Sequence, residues 1–265
     1  MPATPTILVF DSGLGGLTVF REVAAARPDA RYVYLADDER FPYGDIPEPE
    51  LIGRITEVIG GAIAAHRPDL VVIACNTAST LALKDLRATF TVPFVGTVPA
   101  IKPACAQSKT GRVSVLGTRA TVAREYTRAL IREFANGCAV DLVGAARLAA
   151  MAEAELNGHP VPDGELAAEI APCFVDRGGR RTDTVVLACT HYPLLIERLR
   201  RLAPWPVEWI DPAPAIARRV VALLGVATDG APAAPAFRLT SGKPPSATLA
   251  AALRRFGFRL QAENA

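Results

Sequence analysis

Two short runs constrain the fold most: LVVIA at 70–74 and TVVLA at 184–188. Both are apolar almost throughout and rich in β-branched residues, with no alternation of polar and apolar positions. A strand of that kind is buried on both faces, which is the condition of a parallel sheet covered by helices on either side. Each run then leads through Ala into a thiol and a polar residue, as ACNTAST at 74–80 and LACTHYPLL at 187–195. One chain thus carries the same device twice, a buried strand that ends at Cys75 and another that ends at Cys189.

The intervening sequence alternates in the same manner. ILVF at 7–10 predicts a strand, a Gly-rich turn and then a helix from Thr18 to about Ala26. A strand at 32–36 ends in Asp37 and Asp38, and the apolar spacing over 48–66 is helical. After Cys75 a helix begins, and the order then restarts. Strands are expected at 113–117 and 139–144, and helices at 120–134 and 163–177. The C-terminal part predicts a helix at 212–224, a Pro/Ala-rich loop at 227–235, a strand at 236–240 and a helix from Ser246. The expected fold is α/β, with two facing, pseudo-symmetric halves built on largely parallel sheets flanked by helices. The expected division is 1–97 plus 211–265 for the first half and 98–210 for the second, with the site in the cleft between them.

Composition removes several classes of function. The chain has 265 residues with a formal net charge of +2, which gives no basic surface for nucleic acid or for an anionic membrane. No apolar run approaches the roughly 18 residues that a membrane span needs. The start, MPATPTILVFDSG, has neither a basic leader region nor a small-residue cleavage site, and the five cysteines are an odd number at no regular spacing. Reduced thiols and a cytoplasmic location are the expectation. Cys105, Cys138 and Cys173 read as small buried apolar residues. With no CxxC pair and no HExxH, and with His66 and His159 far from the strand ends, no metal site is expected.

In open α/β sheets, ligands bind beyond the carboxyl ends of the strands. Five polar clusters belong there: Asp11-Ser12, Asp37-Asp38, Cys75-Asn76-Thr77, Gly117-Thr118 with Thr121, and Cys189-Thr190-His191. The turn DSGLGGLTV at 11–19 lacks the third glycine of a dinucleotide-binding turn, and Asp11 would repel a pyrophosphate. Such a turn is better used to offer backbone N–H groups to a small carboxylate while Asp11 meets a cation. Two thiols, an acid for an ammonium group, and hydroxyl and amide donors for carboxylates together describe an amino-acid site. Inverting a carbon stereocentre by proton transfer needs one base on each face, with opposite protonation states that swap at every turnover. Thiols suit this task, since holding a free cysteine as thiolate near neutral pH costs roughly 1.4–2 kcal/mol, within reach of a helix N-terminus and hydrogen bonds. His191, two residues after a candidate thiol, could polarise it or protonate a substrate group.

At these residues the sequence resembles the glutamate racemases, cofactor-independent members of the aspartate/glutamate racemase superfamily. The matches are FDSGLGGLTV at 10–19, DDERFPYG at 37–44, ACNTAST at 74–80, GTVPAIKPA at 96–104, VLGTRATV at 115–122, LACTHYPLL at 187–195 and FRLTSG at 237–242. The resemblance implies that Cys75 deprotonates D-glutamate and Cys189 L-glutamate, with Asp11 assisting the first thiol and His191 the second. It implies substrate binding at Ser12, Pro42, Tyr43, Gly44, Asn76, Thr77 and Thr190, with Thr118 and Thr121 matched more loosely. The glutamate that partners the histidine falls in GAARLAAMAEAEL, where Glu153 is favoured and Glu155 stays open. The resemblance further implies no cofactor, glutamate as the small-molecule partner, a role in peptidoglycan supply and the option of a homodimer. The chain lacks the long N-terminal extension of relatives activated by a peptidoglycan precursor, so activity without an activator is expected. Two alternatives stand beside this reading: a racemase of aspartate or another amino acid, and a glutamate-binding or inhibitor protein with structural thiols.

Overall fold

The computed structural model describes residues 4–228 and 233–259. Part of the expected loop at 227–235 and the last six residues of the expected C-terminal segment lie outside the described residues. The chain begins with β1 (Thr6–Asp11), α1 (Leu17–Ala26), β2 (Arg31–Ala36), α2 (Glu48–His66), β3 (Leu70–Ile73), α3 (Asn76–Thr89) and β4 (Phe94–Gly96). It continues through α4 (Ile101–Gln107), β5 (Arg112–Thr118), α5 (Arg119–Ala123), α6 (Glu125–Phe134), β6 (Ala139–Ala145), α7 (Leu148–Leu156) and α8 (Asp163–Ile170). Then come the hairpin β7 (Asp176–Arg177) and β8 (Arg180–Arg181), followed by β9 (Thr184–Ala188), α9 (Ile196–Leu202) and β10 (Glu208–Ile210). The described part closes with α10 (Ala213–Leu224), β11 (Ala236–Leu239) and α11 (Ala247–Arg254).

Two all-parallel sheets result, one in the order β11-β2-β1-β3-β4 and one in the order β10-β9-β5-β6. β1 explains why the central strands show no polar alternation. Ile7 and Val9 face a core shared with α1, α10 and α11, while Leu8 and Phe10 face a second core shared with α2 and α3. The other sheet is covered in the same way, with Val185 and Leu187 toward α7, α8 and α9, and Val186 and Ala188 toward α4 and α6. The α/β architecture of two helix-covered parallel sheets is therefore present. β11 adds to the edge of the first sheet beside β2, and β10 adds to the second beside β9.

This winding creates two switch points. α1 leaves β1 toward one face of its sheet and α3 leaves β3 toward the other, so the ends of β1 and β3 flank an open crevice. Likewise α6 and α9 follow β5 and β9 on opposite faces of the second sheet. Asp11 and Cys75 lie at the first crevice, Thr118 and Cys189 at the second.

Three local differences from the expected elements have physical causes. The helix over 120–134 is broken at Arg124, whose φ −71 and ψ 142 are extended, and the Thr127 hydroxyl donates to the Thr121 carbonyl across the break. The helix expected over 163–177 stops at Ile170. Pro172 cannot donate to a continuing ladder, and a hairpin follows around Gly178 and Gly179, at φ 60 and 74. Helix α7 covers the segment quoted only for its acids, LAAMAEAEL.

Candidate active site

The two strand ends bring Cys75 and Cys189 to the walls of one narrow cleft. Both thiols are free and buried. Cys75 is the N-cap of α3, and its sulfur accepts the Ala78 N–H at 3.5 Å. The Ser12 hydroxyl lies 3.5 Å from the same sulfur and donates to Asp11 Oδ1, also at 3.5 Å. Asp11 is fully buried, and its second oxygen accepts the Gly16 N–H at 2.7 Å.

The expected helix-end stabilisation does not leave Cys75 as a resting thiolate. Burial, and next the Asp11 charge, push its thiol up to about 12, outweighing the Ala78 and Ser12 hydrogen bonds. Burial also raises the Asp11 carboxyl, against the opposing charge of His191.

The other wall is built differently. Cys189 Sγ lies 3.7 Å from His191 Nδ1, and His191 Nε2 lies 2.8 Å from Glu153 Oε1 on α7. Burial opposes the imidazolium, but the hydrogen bonds to Cys189 and Glu153 prevail and hold His191 well above its ordinary value. Glu155, the other candidate, points elsewhere: it binds Arg198 and the Val161 N–H. The partner of His191 is Glu153.

The Gly-rich turn after β1 serves this second wall. Leu14 donates its N–H to Glu153 Oε1 at 2.5 Å, and the Gly15 nitrogen packs 3.1 Å from His191 Nε2. A Cβ at Gly13 would overlap Glu153, and one at Gly15 would overlap the His191 ring. The carboxylate that the turn receives is therefore the protein's own, which corrects the expectation of a ligand carboxylate there. Gly16 is close-packed against Asp11, Ala74 and the Tyr34 hydroxyl.

Ser12, Asn76 and Thr77 line the cleft from the first half, and Thr118, Thr190 and His191 line it from the second. Pro42, Tyr43 and Gly44 close one side. The hydroxyls of Thr77, Thr118 and Thr121 form a mutual cluster, with separations of 2.9 to 3.3 Å, in which Thr121 stands behind the lining residues. Asp11 and Glu153 also stand behind the lining, each one hydrogen bond from a residue that reaches it. Asn76 donates from Nδ2 to the Thr97 carbonyl at 3.5 Å, and its Oδ1 is buried without a hydrogen-bond partner among the described residues.

Asp37 and Asp38 do not join the cleft. Asp37 is enclosed by Arg54, the Tyr43 hydroxyl at 2.7 Å and the Thr240 hydroxyl at 2.8 Å. Asp38 accepts from the Ser241 hydroxyl and N–H. Tyr43 thus commits its hydroxyl to Asp37 while also lining the cleft. Two lining residues were not anticipated, Phe41 and Ala149. Phe41 packs its ring against His191 at 5.3 Å between centroids, and it lies inside the quoted DDERFPYG; Ala149 carries no polar signal at all.

Among the described residues, no group of three His, Cys, Asp or Glu side chains is placed to hold a metal ion. Nor is any described helix long and apolar enough to cross a membrane.

Comparison with known proteins places this geometry in context. The profile of the Asp/Glu/Hydantoin racemase family matches residues 18–220. Glutamate racemase of Brucella ovis is 58% identical over 235 residues, covering 86% of this chain and 85% of that protein. The crystal structure of Escherichia coli glutamate racemase, in complex with L-glutamate and the activator UDP-MurNAc-Ala, superposes with a TM-score of 0.87 at 40% identity. The match covers 97% of this chain and 96% of that one. A glutamate racemase of Bacillus anthracis superposes with a TM-score of 0.81 at 26% identity, over 97% and 95% of the two chains.

Proposed function

The chain belongs to the Asp/Glu/Hydantoin racemase family, and from that premise we propose that this isomerase interconverts L- and D-glutamate by proton transfer between two thiols. One observation carries the reading: Cys75 and Cys189, from strands of different sheets, line the same small cleft. A carbon held between them has one sulfur on each face, which is what inversion requires.

In the D-to-L direction the Cys75 thiolate takes the Cα proton and Cys189 S–H delivers one to the opposite face. The reverse direction exchanges the roles. Burial, and next the Asp11 charge, make the Cys75 thiolate scarce but strongly basic once formed. His191 serves as the acid–base neighbour of Cys189, and Glu153 sets its orientation. The open Oδ1 of Asn76 suits the substrate ammonium, and the hydroxyl cluster of Thr77, Thr118 and Thr121 suits a carboxylate. The reaction so written draws only on groups of the chain. Its product, D-glutamate, would serve bacterial peptidoglycan.

The test is exchange of the Cα hydrogen in heavy water, starting from each enantiomer. Wild-type protein is expected to exchange and invert both. Cys75→Ala and Cys189→Ala are each expected to lose inversion; if both racemise at the wild-type rate, the two-thiol reading fails.

A further inference from the structure

The cleft is closed in this structure. Cys75 and Cys189 are 5% and 6% exposed, and the free space between the lining residues is about 20 Å³. That admits about one water molecule, far less than an amino acid with two carboxylates needs. A substrate of that size reaches the thiols only when the two walls part. The walls belong to different sheets, which share no strand pairing, so parting them breaks only contacts along the seam.

Most of those contacts lie beside the thiols: Leu14 to Glu153, Thr18 to the Thr190 carbonyl, and Thr77 with Thr118 and Thr121. One contact is of a different kind. Arg124 Nη1 donates to Glu48 Oε1, the only ion pair among the described residues that joins the first half to the second. Each partner follows closely on a wall of the cleft. Glu48 opens α2 just after the Tyr43–Gly44 wall, and Arg124 separates α5 from α6 just after Thr121. Helix α5 packs against the turn at 43–45, and Gly44 faces Thr118. The ion pair therefore spans the edge of the cleft. Its ends meet water differently, with the Glu48 side chain 64% exposed and that of Arg124 9%. Arg124 Nε is buried without a hydrogen-bond partner among the described residues. An unpaired buried donor is destabilising, and opening the seam to water relieves it.

We propose that Arg124 and Glu48 form a clasp over the mouth of the cleft, whose release admits glutamate to the two thiols. The identity of the substrate rests on the functional reading above; the clasp itself rests on the ion pair and the size of the cleft. Its modest strength suits the task. An ion pair with one exposed partner biases the closed form without locking it. The buried contacts set how the walls meet when shut, and the clasp sets how often they part. Salt screens the exposed charge of Glu48 and leaves the hydroxyl contacts of the seam intact, so ionic strength acts on the clasp first.

The experiment is alkylation of the free protein by iodoacetamide, with each cysteine followed by peptide mass spectrometry. The reagent is too large for the closed cleft, so Cys75 and Cys189 react through the open form and report its population. Cys173, 0% exposed in the core of the second half, reports unfolding instead. In Glu48→Gln both cleft thiols are expected to react about three- to tenfold faster than in wild type, with Cys173 unchanged. Arg124→Gln should do the same, and the double variant should go no further, because both changes remove one contact. Wild-type labelling of the cleft thiols should also quicken with added sodium chloride, and Glu48→Gln should lack that response. Unchanged labelling of Cys75 and Cys189 in Glu48→Gln, equal acceleration of Cys173, or single effects that multiply in the double variant each overturn the clasp. If Glu48→Gln does not fold, a wild-type rate insensitive to salt overturns it. Glutamate should slow labelling of both cleft thiols in every variant. If it protects neither thiol in wild type, the functional reading fails, and the comparison of variants still decides the clasp.

Discussion

The backbone nitrogen of Gly15, on the turn after β1, lies 3.1 Å from Nε2 of His191, across 176 residues of sequence and between the two sheets. The contact is possible because position 15 has no Cβ. Thr18 adds a second tie of the same kind, from its hydroxyl to the Thr190 carbonyl at 3.1 Å. The first half therefore supplies not only its own thiol but also the seat of the imidazole beside the other.

Gly15→Ala should drive a methyl group into that ring. The expected cost of overpacking is about 1–3 kcal/mol in stability, read by chemical denaturation. The racemisation rate is expected to fall by about two orders of magnitude, the usual scale for a displaced acid–base group.

Cys75→Ser and Cys189→Ser should each lower racemisation by roughly 10²–10⁴-fold, since an alcohol is a far weaker acid at neutral pH. The remaining thiol is expected to support slow exchange of Cα hydrogen with solvent from one enantiomer only. Proton NMR in heavy water separates exchange from inversion. Equal exchange from both enantiomers in either variant would contradict the assignment of one sulfur to each face.

The two enantiomers are equal in energy, so kcat/KM must be the same in both directions at every pH. Its alkaline limb marks loss of the proton that one thiol must keep. With Cys75 raised to about 12 and His191 held well above its ordinary value, no alkaline fall is expected below about pH 9. A decline centred near pH 8 would show that a different group governs the free enzyme.

The same His191 shift links to stability. Its folded value lies above the unfolded one, near 6.5, so its contribution is complete below pH 6.5 and is lost as pH rises through the folded value. Melting temperature is expected to decline toward alkaline pH, and that part of the decline should vanish in His191→Asn.

Arg54→Met should leave Asp37 buried and uncompensated, since Asp37 is 0% exposed and Arg54 is its charged partner. Removing one member of such a pair costs about 3–5 kcal/mol. A urea titration measures it, and a loss under 1 kcal/mol would argue against the pair as a structural anchor. Activity should fall as well, because Asp37 also fixes the Tyr43 hydroxyl behind the cleft wall.

Glu155→Gln is expected to leave the rate within about threefold, because it pairs with Arg198 of α9 in a partly exposed ion pair and does not reach His191. Glu153→Gln should lower the rate tenfold or more through His191. Parallel steady-state assays of the two variants make the comparison.

The long central strands were legible because burial on both faces removes every polar residue from them: Leu70–Ile73 and Thr184–Ala188 could hardly be read otherwise. Short elements were not. β4, with Phe94–Gly96, and β10, with Glu208–Ile210, have three residues each, and only pairing with β3 and β9 makes them strands. The thiols and His191 were visible as chemistry at strand ends. The separate duties of Asp11 and Asp37, both acids at the ends of neighbouring strands, were not, because only the fold decides which one meets Arg54. Glu153 and Glu155 likewise differ by two positions on α7, and the turn of the helix sends them to different partners.

Each sulfur is fixed to the end of a rigid strand, Cys75 after β3 and Cys189 after β9, and no sheet hydrogen bonds join those strands to each other. The gap between the thiols is therefore not written into either sheet. It works like the opening of a calliper, whose jaws are hard and whose setting belongs to the frame that holds them. A substitution at the seam, far from either sulfur, can change the gauge without touching the jaws.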